Sequence, residues 1–250
     1  MSRDVGSGAQ ASWAGWRASA ALAVRQLAAI TAVGALLGLL VGGVGGRLAM
    51  MLLARLNPEA TGVTSDDGFT IGQFTLSDTL NFLLVGTFLG VVGAGIYDVL
   101  RGLRIGPRWF QVHTLALGPA VVVGAVLVHT DGVDFQVLEP TWLAIGLFVA
   151  IPGAYAALLT LLAEGIISAD GWWARAPLLL AVAPLLLWVP VAPLLVFLAA
   201  GWSLREGLCR TKVGAAVVGH PALRWAARLG LTLIFAVASL DLGRDAVELI

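Results

Sequence analysis

Residues 27–46 read LAAITAVGALLGLLVGGVGG and contain no charged side chain. A helix needs about 20 consecutive apolar residues to cross the hydrocarbon core of a bilayer. This stretch is long enough, so the sequence predicts that it forms a first membrane-spanning helix. The helix is expected to run on to Leu56, because Asn57-Pro58 is the first stop signal after it.

The composition of the whole chain supports a membrane location. Of the 250 residues, 59% are hydrophobic and 12% are charged, whereas soluble domains average about 45–50% and about 25%. A soluble globule of this size has too little polar surface to cover so much apolar material. The net charge is zero, which excludes the basic field that nucleic-acid partners require.

The remaining apolar windows predict an all-α, polytopic membrane helix bundle with six transmembrane helices. Tryptophans, whose rings prefer the headgroup level, lie at most of the window ends. We expect one transmembrane domain over residues 27–240, after a cytoplasmic or interfacial tail (1–26) and before a short acidic tail (241–250). The further spans are predicted at about residues 80–97, 109–128, 141–162, 176–202 and 225–240.

Basic residues in short loops predict the orientation. They are found in the N-terminal tail and in residues 98–108, and they are absent from residues 59–97 and 109–174. The N-terminus is therefore expected on the cytoplasmic side. All basic residues except Lys212 are arginine, a bias typical of GC-rich genomes. We therefore expect a bacterial cytoplasmic membrane.

The fifth window, residues 176–202, leaves two paths open. Six full crossings would place the basic stretch 203–224 outside, against the charge rule. The window contains Pro177, Pro184, Pro190 and Pro193, and broken helices are tolerated at membrane depth when they are buried against protein. The alternative is five crossings plus a proline-rich re-entrant hairpin at 176–202.

Glycines recur at four-residue spacing in the first two spans and predict close helix packing. One small residue per turn allows another backbone to approach. The first two helices then pack together, or the first helix pairs with its copy in a homo-oligomer; the alternative is a smooth surface that permits sliding in a transporter. The glycines concerned are Gly34, Gly38, Gly42, Gly46, Gly86 and Gly90.

Arg47 and Asp78 form a candidate polar site at the outer boundary. Arg47 directly follows the glycine stripe, and Asp78 precedes the second span. An interfacial arginine often extends to lipid headgroups. Its guanidinium also suits a carboxylate or phosphate, so Arg47 is expected to bind an anionic headgroup or substrate, or to pair with Asp78.

The sequence predicts no cofactor and no metal centre. The loops at residues 57–79 and 129–140 lack basic residues and are expected outside. These outer loops contain two similar acidic strings, and their carboxylates are weak candidates for a divalent cation, although the spacing fits no EF-hand. His113 and His129 lie at opposite ends of one span, which argues against a haem. The weak metal candidates are Asp66, Asp67, Asp131 and Asp134.

Three classes of function follow. The first is a structural or accessory membrane component that acts through glycine-stripe packing, with the lipid bilayer and a membrane protein or second copy as partners. The second is a small uncoupled channel or carrier, or a transporter's membrane subunit. The third is a lipid-acting membrane enzyme. No catalytic residue is assigned, because the sequence has no nucleotide-binding loop and no nucleophile or zinc motif, and the balance is against an enzyme.

Overall fold

The computed structural model describes residues 4–66, 68–167 and 172–250. The predicted all-α fold is confirmed, because the only strand-like pairing within these ranges is a single bridge between Thr64 and Thr70. The α-helices are α1 Asp4–Leu37, α2 Gly46–Leu56, α3 Leu76–Leu100, α4 Arg108–Leu127, α5 Val133–Val137, α6 Thr141–Ile167, α7 Trp172–Arg175, α8 Leu178–Val182, α9 Ala192–Cys209, α10 Lys212–Gly219 and α11 Pro221–Leu249.

Six helices are long and apolar enough to span a membrane, as predicted. They cover Gly15–Leu56, Leu76–Leu103, Arg108–Leu127, Thr141–Ile167, Leu179–Cys209 and Lys212–Leu249. Both tails are helical in the described part of the chain: α1 begins at Asp4, and α11 continues to Leu249. Neither boundary has a proline or a glycine cap to end the helix, so the spans continue into the tails.

The first span and α3 cross through their glycines. A Cβ added to Gly34 would stand 2.6 Å from the Ala94 Cβ and from the Gly90 carbonyl oxygen. One added to Gly38 would meet the Gly86 carbonyl oxygen and lie 2.7 Å from the Gly90 Cα. Backbone therefore lies against backbone, an approach that only residues without a side chain allow.

A π-helical segment, Gly38–Gly45, joins α1 to α2. A π-helix has more residues per turn than an α-helix, so the face toward α3 shifts by one residue. Gly43 is buried against Leu83, with a Cβ position 3.0 Å from the Leu83 Cα, whereas Gly42 is only partly buried. The prediction of strict four-residue spacing omitted Gly43, because it assumed a regular α-helix throughout.

The fifth apolar helix enters the bundle beside α1. The Arg25 Nη1 donates a hydrogen bond to the Ala176 carbonyl at 3.3 Å. Further along, the Trp188 Nε1 donates to the Thr31 hydroxyl at 2.9 Å, and Trp188 is fully buried. Thr31 lies about 9 Å beyond Arg25 along α1, at about 1.5 Å per residue, so the chain moves into the bundle from residue 176 to residue 188.

The same helix then returns toward the end from which it came. Leu198 is still at the depth of Trp188, because both side chains reach Gly95 on α3. The ring of Trp202 then lies 6.2 Å from the ring of Trp16. Trp16 precedes Arg25 by nine residues, or about 14 Å of helix. The contacts of the fifth helix therefore agree with the hairpin alternative, in which both ends lie at the same end of the bundle.

The last helix, α11, runs from one end of the bundle to the other. The Arg228 guanidinium donates to the carbonyl oxygens of Leu103 and Arg104, at 3.1 and 3.4 Å. At its far end, Leu249 packs against the cluster that contains Val128 and Leu138. The helix α11 therefore connects the two ends of the bundle. These two ends differ in the charged residues that they contain.

We call these the arginine end and the acidic end. Basic residues placed at the arginine end are Arg17, Arg25, Arg101, Arg104, Arg108, Arg175, Arg205, Arg210, Lys212, Arg224 and Arg228. Those at the acidic end are Arg47, Arg55 and Arg244. The described carboxylates of the 57–78 and 128–140 segments and of the end of α11 also lie there.

Candidate functional site

Arg47, in the first turn of α2, has a partly buried guanidinium. Its Nε and Nη2 atoms are buried and have no hydrogen-bond partner among the described residues. The centre of its guanidinium lies 4.8 Å from the centroid of the Phe74 ring, a cation–π contact. Nε and Nη2 lie on the same edge of the guanidinium, the edge that binds two oxygens of a carboxylate or phosphate side by side.

The segment between α2 and α3 folds over this guanidinium as a cap. Two backbone hydrogen bonds hold the cap together. The Gly62 N–H donates to the Ile71 carbonyl at 3.0 Å, and the Ile71 N–H donates to the Val63 carbonyl at 2.8 Å. Gly72 has φ +79°, a conformation that glycine adopts without strain. That turn directs Phe74 back over α2, so that its ring lies against the Arg47 guanidinium.

A narrow cleft lies between the cap and Arg47. Its volume is about 10 Å³, room for about one water molecule. The lining residues are Arg47, Met50, Phe69, Thr70, Ile71, Gly72, Gln73, Phe74 and Leu138. Arg47 therefore shares the cleft with two uncharged polar residues, Thr70 and Gln73, among mainly apolar side chains.

Asp78 is close in sequence to this cap but has another local role. Its backbone N–H donates to the Thr75 hydroxyl at 3.0 Å, which caps the N-terminus of α3. Among the described residues, no salt bridge within 4.0 Å joins Asp78 to Arg47. The structure therefore does not bring the two residues together as an ion pair. Of the two, only Arg47 lines the cleft.

The carboxylates of the two outer loops are brought together only in part. The Asp66 Oδ2 accepts a hydrogen bond from the Asp134 backbone N–H at 3.3 Å, and Asp134 is buried. Asp131 is highly exposed and lies 3.9 Å from the His129 Nε2, while Asp67 lies outside the described residues. Within the described ranges, no group of three acidic, histidine or cysteine side chains is placed to hold a metal ion.

Asn57 is a buried polar residue that the sequence reasoning read only as a helix stop. Its side-chain amide donates to the carbonyls of Leu53 and Glu139, both at 2.8 Å. Its Oδ1 accepts from the Glu139 backbone N–H at 2.7 Å. Asn57 therefore links the end of α2 to the 128–140 loop at the acidic end of the bundle.

Tyr155, on α6, was also missed. Its hydroxyl donates to the Gly90 carbonyl at 2.6 Å, and its ring lies against Gly93. The hydroxyl is also 3.0 Å from the Cβ position of Gly34. The side chain of Tyr155 on α6 therefore stabilises the crossing between the first span and α3. The signal in the sequence that could have indicated this role is a tyrosine in the middle of an apolar span.

A network of ion pairs and hydrogen bonds links the helices at the arginine end. The Arg104 Nη2 lies 2.7 Å from the Glu164 Oε1, and the Tyr97 hydroxyl donates to the same oxygen at 3.0 Å. The Arg101 Nε pairs with the Asp98 Oδ1 at 3.2 Å, and its Nη2 donates to the Gln26 Oε1 at 2.9 Å. The guanidiniums of Arg101 and Arg104 thus have partners, in contrast to Nε and Nη2 of Arg47.

The fold and composition define a helical membrane protein with six helices long and apolar enough to span a bilayer. No protein-family model, curated protein or solved structure matches the chain.

Proposed function

We propose that the protein is an accessory component of a bacterial cytoplasmic membrane, which acts as a rigid helix-packing unit for a membrane partner. The observation that supports this most is the glycine crossing between the first span and α3. There, backbone lies against backbone, and Tyr155 binds the Gly90 carbonyl across it at 2.6 Å. A contact this close leaves no path for a solute between these two helices.

The same contact changes the proposed mode of oligomerisation. The stripe of the first helix is occupied by α3 of its own chain, so a homo-oligomer through that stripe is not part of the proposal. A partner would instead meet the large apolar side chains that face outward. Leu240 on α11 and Leu84 on α3, which are 77% and 69% exposed, are suitable positions at which to detect it.

For orientation we propose a cytoplasmic arginine end. With the fifth helix as a hairpin, the basic residues of 203–228 lie at the same end as those of 98–108, and the charge rule is satisfied throughout. Cys209 tests this, since it is exposed. A membrane-impermeant maleimide is expected to label it only after the cells are permeabilised, and labelling in intact cells would overturn the orientation.

The accessory role is tested by native mass spectrometry of the gently extracted protein. A partner at fixed stoichiometry is expected, and a photo-cross-linker in place of Leu240 or Leu84 is expected to join the same partner in intact membranes. A monomer without cross-links from either position would contradict the proposal.

An uncoupled channel or carrier is the second candidate, favoured by the broken fifth helix. Its 3-10 segment, Ala183–Val191, contains the fully buried Trp188, although Leu186 and Val189 in the same segment are exposed. Broken helices near the bilayer midplane form many transport sites. In reconstituted vesicles, solute flux that rises in Trp188→Ala and not in Trp225→Ala would favour this candidate over the accessory role.

The third class, a lipid-acting enzyme, has the least support. The residues that line the Arg47 cleft include no histidine and no carboxylate, so the described cleft has no group to act as general acid or base.

A further inference from the structure

We propose that Arg47 forms a binding site for one phosphate group, supplied by a lipid headgroup or by free phosphate. This proposal is independent of the accessory role. It starts from the two buried nitrogens of the guanidinium, Nε and Nη2, for which no described residue supplies an acceptor. A buried charged donor without a partner costs far more free energy than a neutral one, so Nε and Nη2 need an acceptor other than the described residues.

The geometry of these nitrogens selects the kind of acceptor. Nε–H and one Nη2–H point in the same direction, about as far apart as two oxygens of a phosphate or carboxylate. The Phe74 ring covers one face of the guanidinium at 4.8 Å. An acceptor must therefore approach in the guanidinium plane, from the side of the cleft.

The depth of Arg47 selects a phosphate. Gln26, bound to Arg101 at 2.9 Å, marks the arginine end of the first span. Arg47 follows it by about 30 Å of helix at about 1.5 Å per residue, which matches the thickness of the hydrocarbon core, about 30 Å. The guanidinium therefore lies at the headgroup level of the opposite leaflet, where phosphodiesters are concentrated.

The rim of the cleft allows only the oxygens of such a group to enter. The cleft holds about one water-sized body, and the side chains of Gln73 and Phe74 at its rim are exposed. One non-bridging oxygen would replace the water against Arg47, with Thr70 beside it, while the second non-bridging oxygen and the ester groups remain at the rim. The rest of the lipid would lie along the exposed side chains of α3 such as Leu76 and Leu80.

The test measures lipid binding to delipidated protein in a neutral detergent by native mass spectrometry. The probes are dioleoyl-phosphatidylglycerol, dioleoylglycerol (the same chains without phosphate) and inorganic phosphate. The variants are Arg47→Gln and Arg47→Lys. Arg55→Gln is the matched control, since Arg55 lies two turns further along α2 and is exposed.

Phosphatidylglycerol affinity is expected to fall about tenfold or more in Arg47→Gln, as for the loss of charge-assisted hydrogen bonds. It should change less than about twofold in Arg55→Gln. Arg47→Lys keeps the charge and loses the two-nitrogen edge, so it is expected to lie between them, and it serves as the test variant if Arg47→Gln does not fold. Competition by inorganic phosphate would identify a free anion as the source, and its absence would identify the headgroup.

Equal affinity for phosphatidylglycerol in wild type and in both Arg47 variants would overturn the proposal. Equal binding of dioleoylglycerol and phosphatidylglycerol to the wild type would also overturn it, since the phosphate would then contribute nothing.

Discussion

The first and last apolar helices are both long and apolar enough to span a membrane, but their environments differ greatly. In the most apolar window of Gly15–Leu56, 56% of the residues are buried, whereas in that of Lys212–Leu249 none is. Both helices contain glycines. Gly34, Gly38 and Gly43 lie against the backbone of α3, but a Cβ on Gly230 or Gly243 would meet nothing within 4 Å. Burial in this bundle therefore depends on small residues repeated along one face, and hydropathy alone does not report it.

The largest expected effect comes from filling the glycine crossing. In Gly38→Leu, the new side chain meets the Gly86 carbonyl and the Gly90 Cα, which are backbone atoms and cannot rotate away. We expect a loss of about 3 kcal/mol or more in the free energy of unfolding, or no folded protein. Gly230→Leu, in open space, should change it by less than about 0.5 kcal/mol.

Denaturant titration of the purified protein in detergent measures both variants. Equal stability of the two would mean that the helices separate more easily than the glycine contacts imply, and the comparison between the first and last helices would fail.

A second expected effect concerns the fifth helix, which contacts the first span. Trp188 is fully buried and donates to the Thr31 hydroxyl at 2.9 Å. Trp188→Ala is expected to cost about 3 kcal/mol through the cavity and the lost bond. Trp225→Ala is the control on α11, where the ring is 55% exposed, and should cost about 1 kcal/mol through its contact with Arg228.

Thermal unfolding followed by gel filtration gives the ranking of these two variants. A larger loss in Trp225→Ala than in Trp188→Ala would mean that the hairpin is not part of the stable core.

The smallest expected effect is that of one hydroxyl. Tyr155→Phe removes the hydrogen bond to the Gly90 carbonyl and is expected to cost about 1 kcal/mol, within the range for helix–helix bonds in membranes. Thr232→Val on α11 removes a bond within one exposed helix turn and should be near neutral. A double variant with Gly34→Ala would show whether the Tyr155 bond and the glycine contact are coupled.

Several elements of the fold could be predicted from local patterns. Span positions follow from about 20 apolar residues in a row, and the end of α2 at Leu56 follows from the Asn57-Pro58 stop signal. The pairing of Gly38 with Gly86 was one of two interpretations of the stripe, since the sequence does not say whether the approaching backbone belongs to the same chain. The shift of the contact to Gly43 depends on the π-helix, which no local pattern indicated.

The candidate site divides in the same way. Arg47 was identifiable because a charge next to a glycine-rich apolar stretch is rare. Its separation from Asp78, the Phe74 ring over its guanidinium and the cleft beside it all result from how the cap folds back, through bonds such as Ile71 to Val63. Asn57 and Tyr155 were missed because one polar residue in an apolar region shows its role only through its partners, which are Glu139 and Gly90.

The sequence by itself determined that this protein is a bundle of membrane-length helices with its charges at the two ends, because the cost of placing charge and unpaired backbone in hydrocarbon depends on composition and length alone. The tertiary structure decided which glycines meet, that the fifth helix turns back, and that the buried Nε and Nη2 of Arg47 have no partner among the described residues. Those features depend on packing between residues far apart in the chain. In lipid, an apolar side chain gains little from one apolar neighbour over another unless the two helix surfaces have complementary shapes.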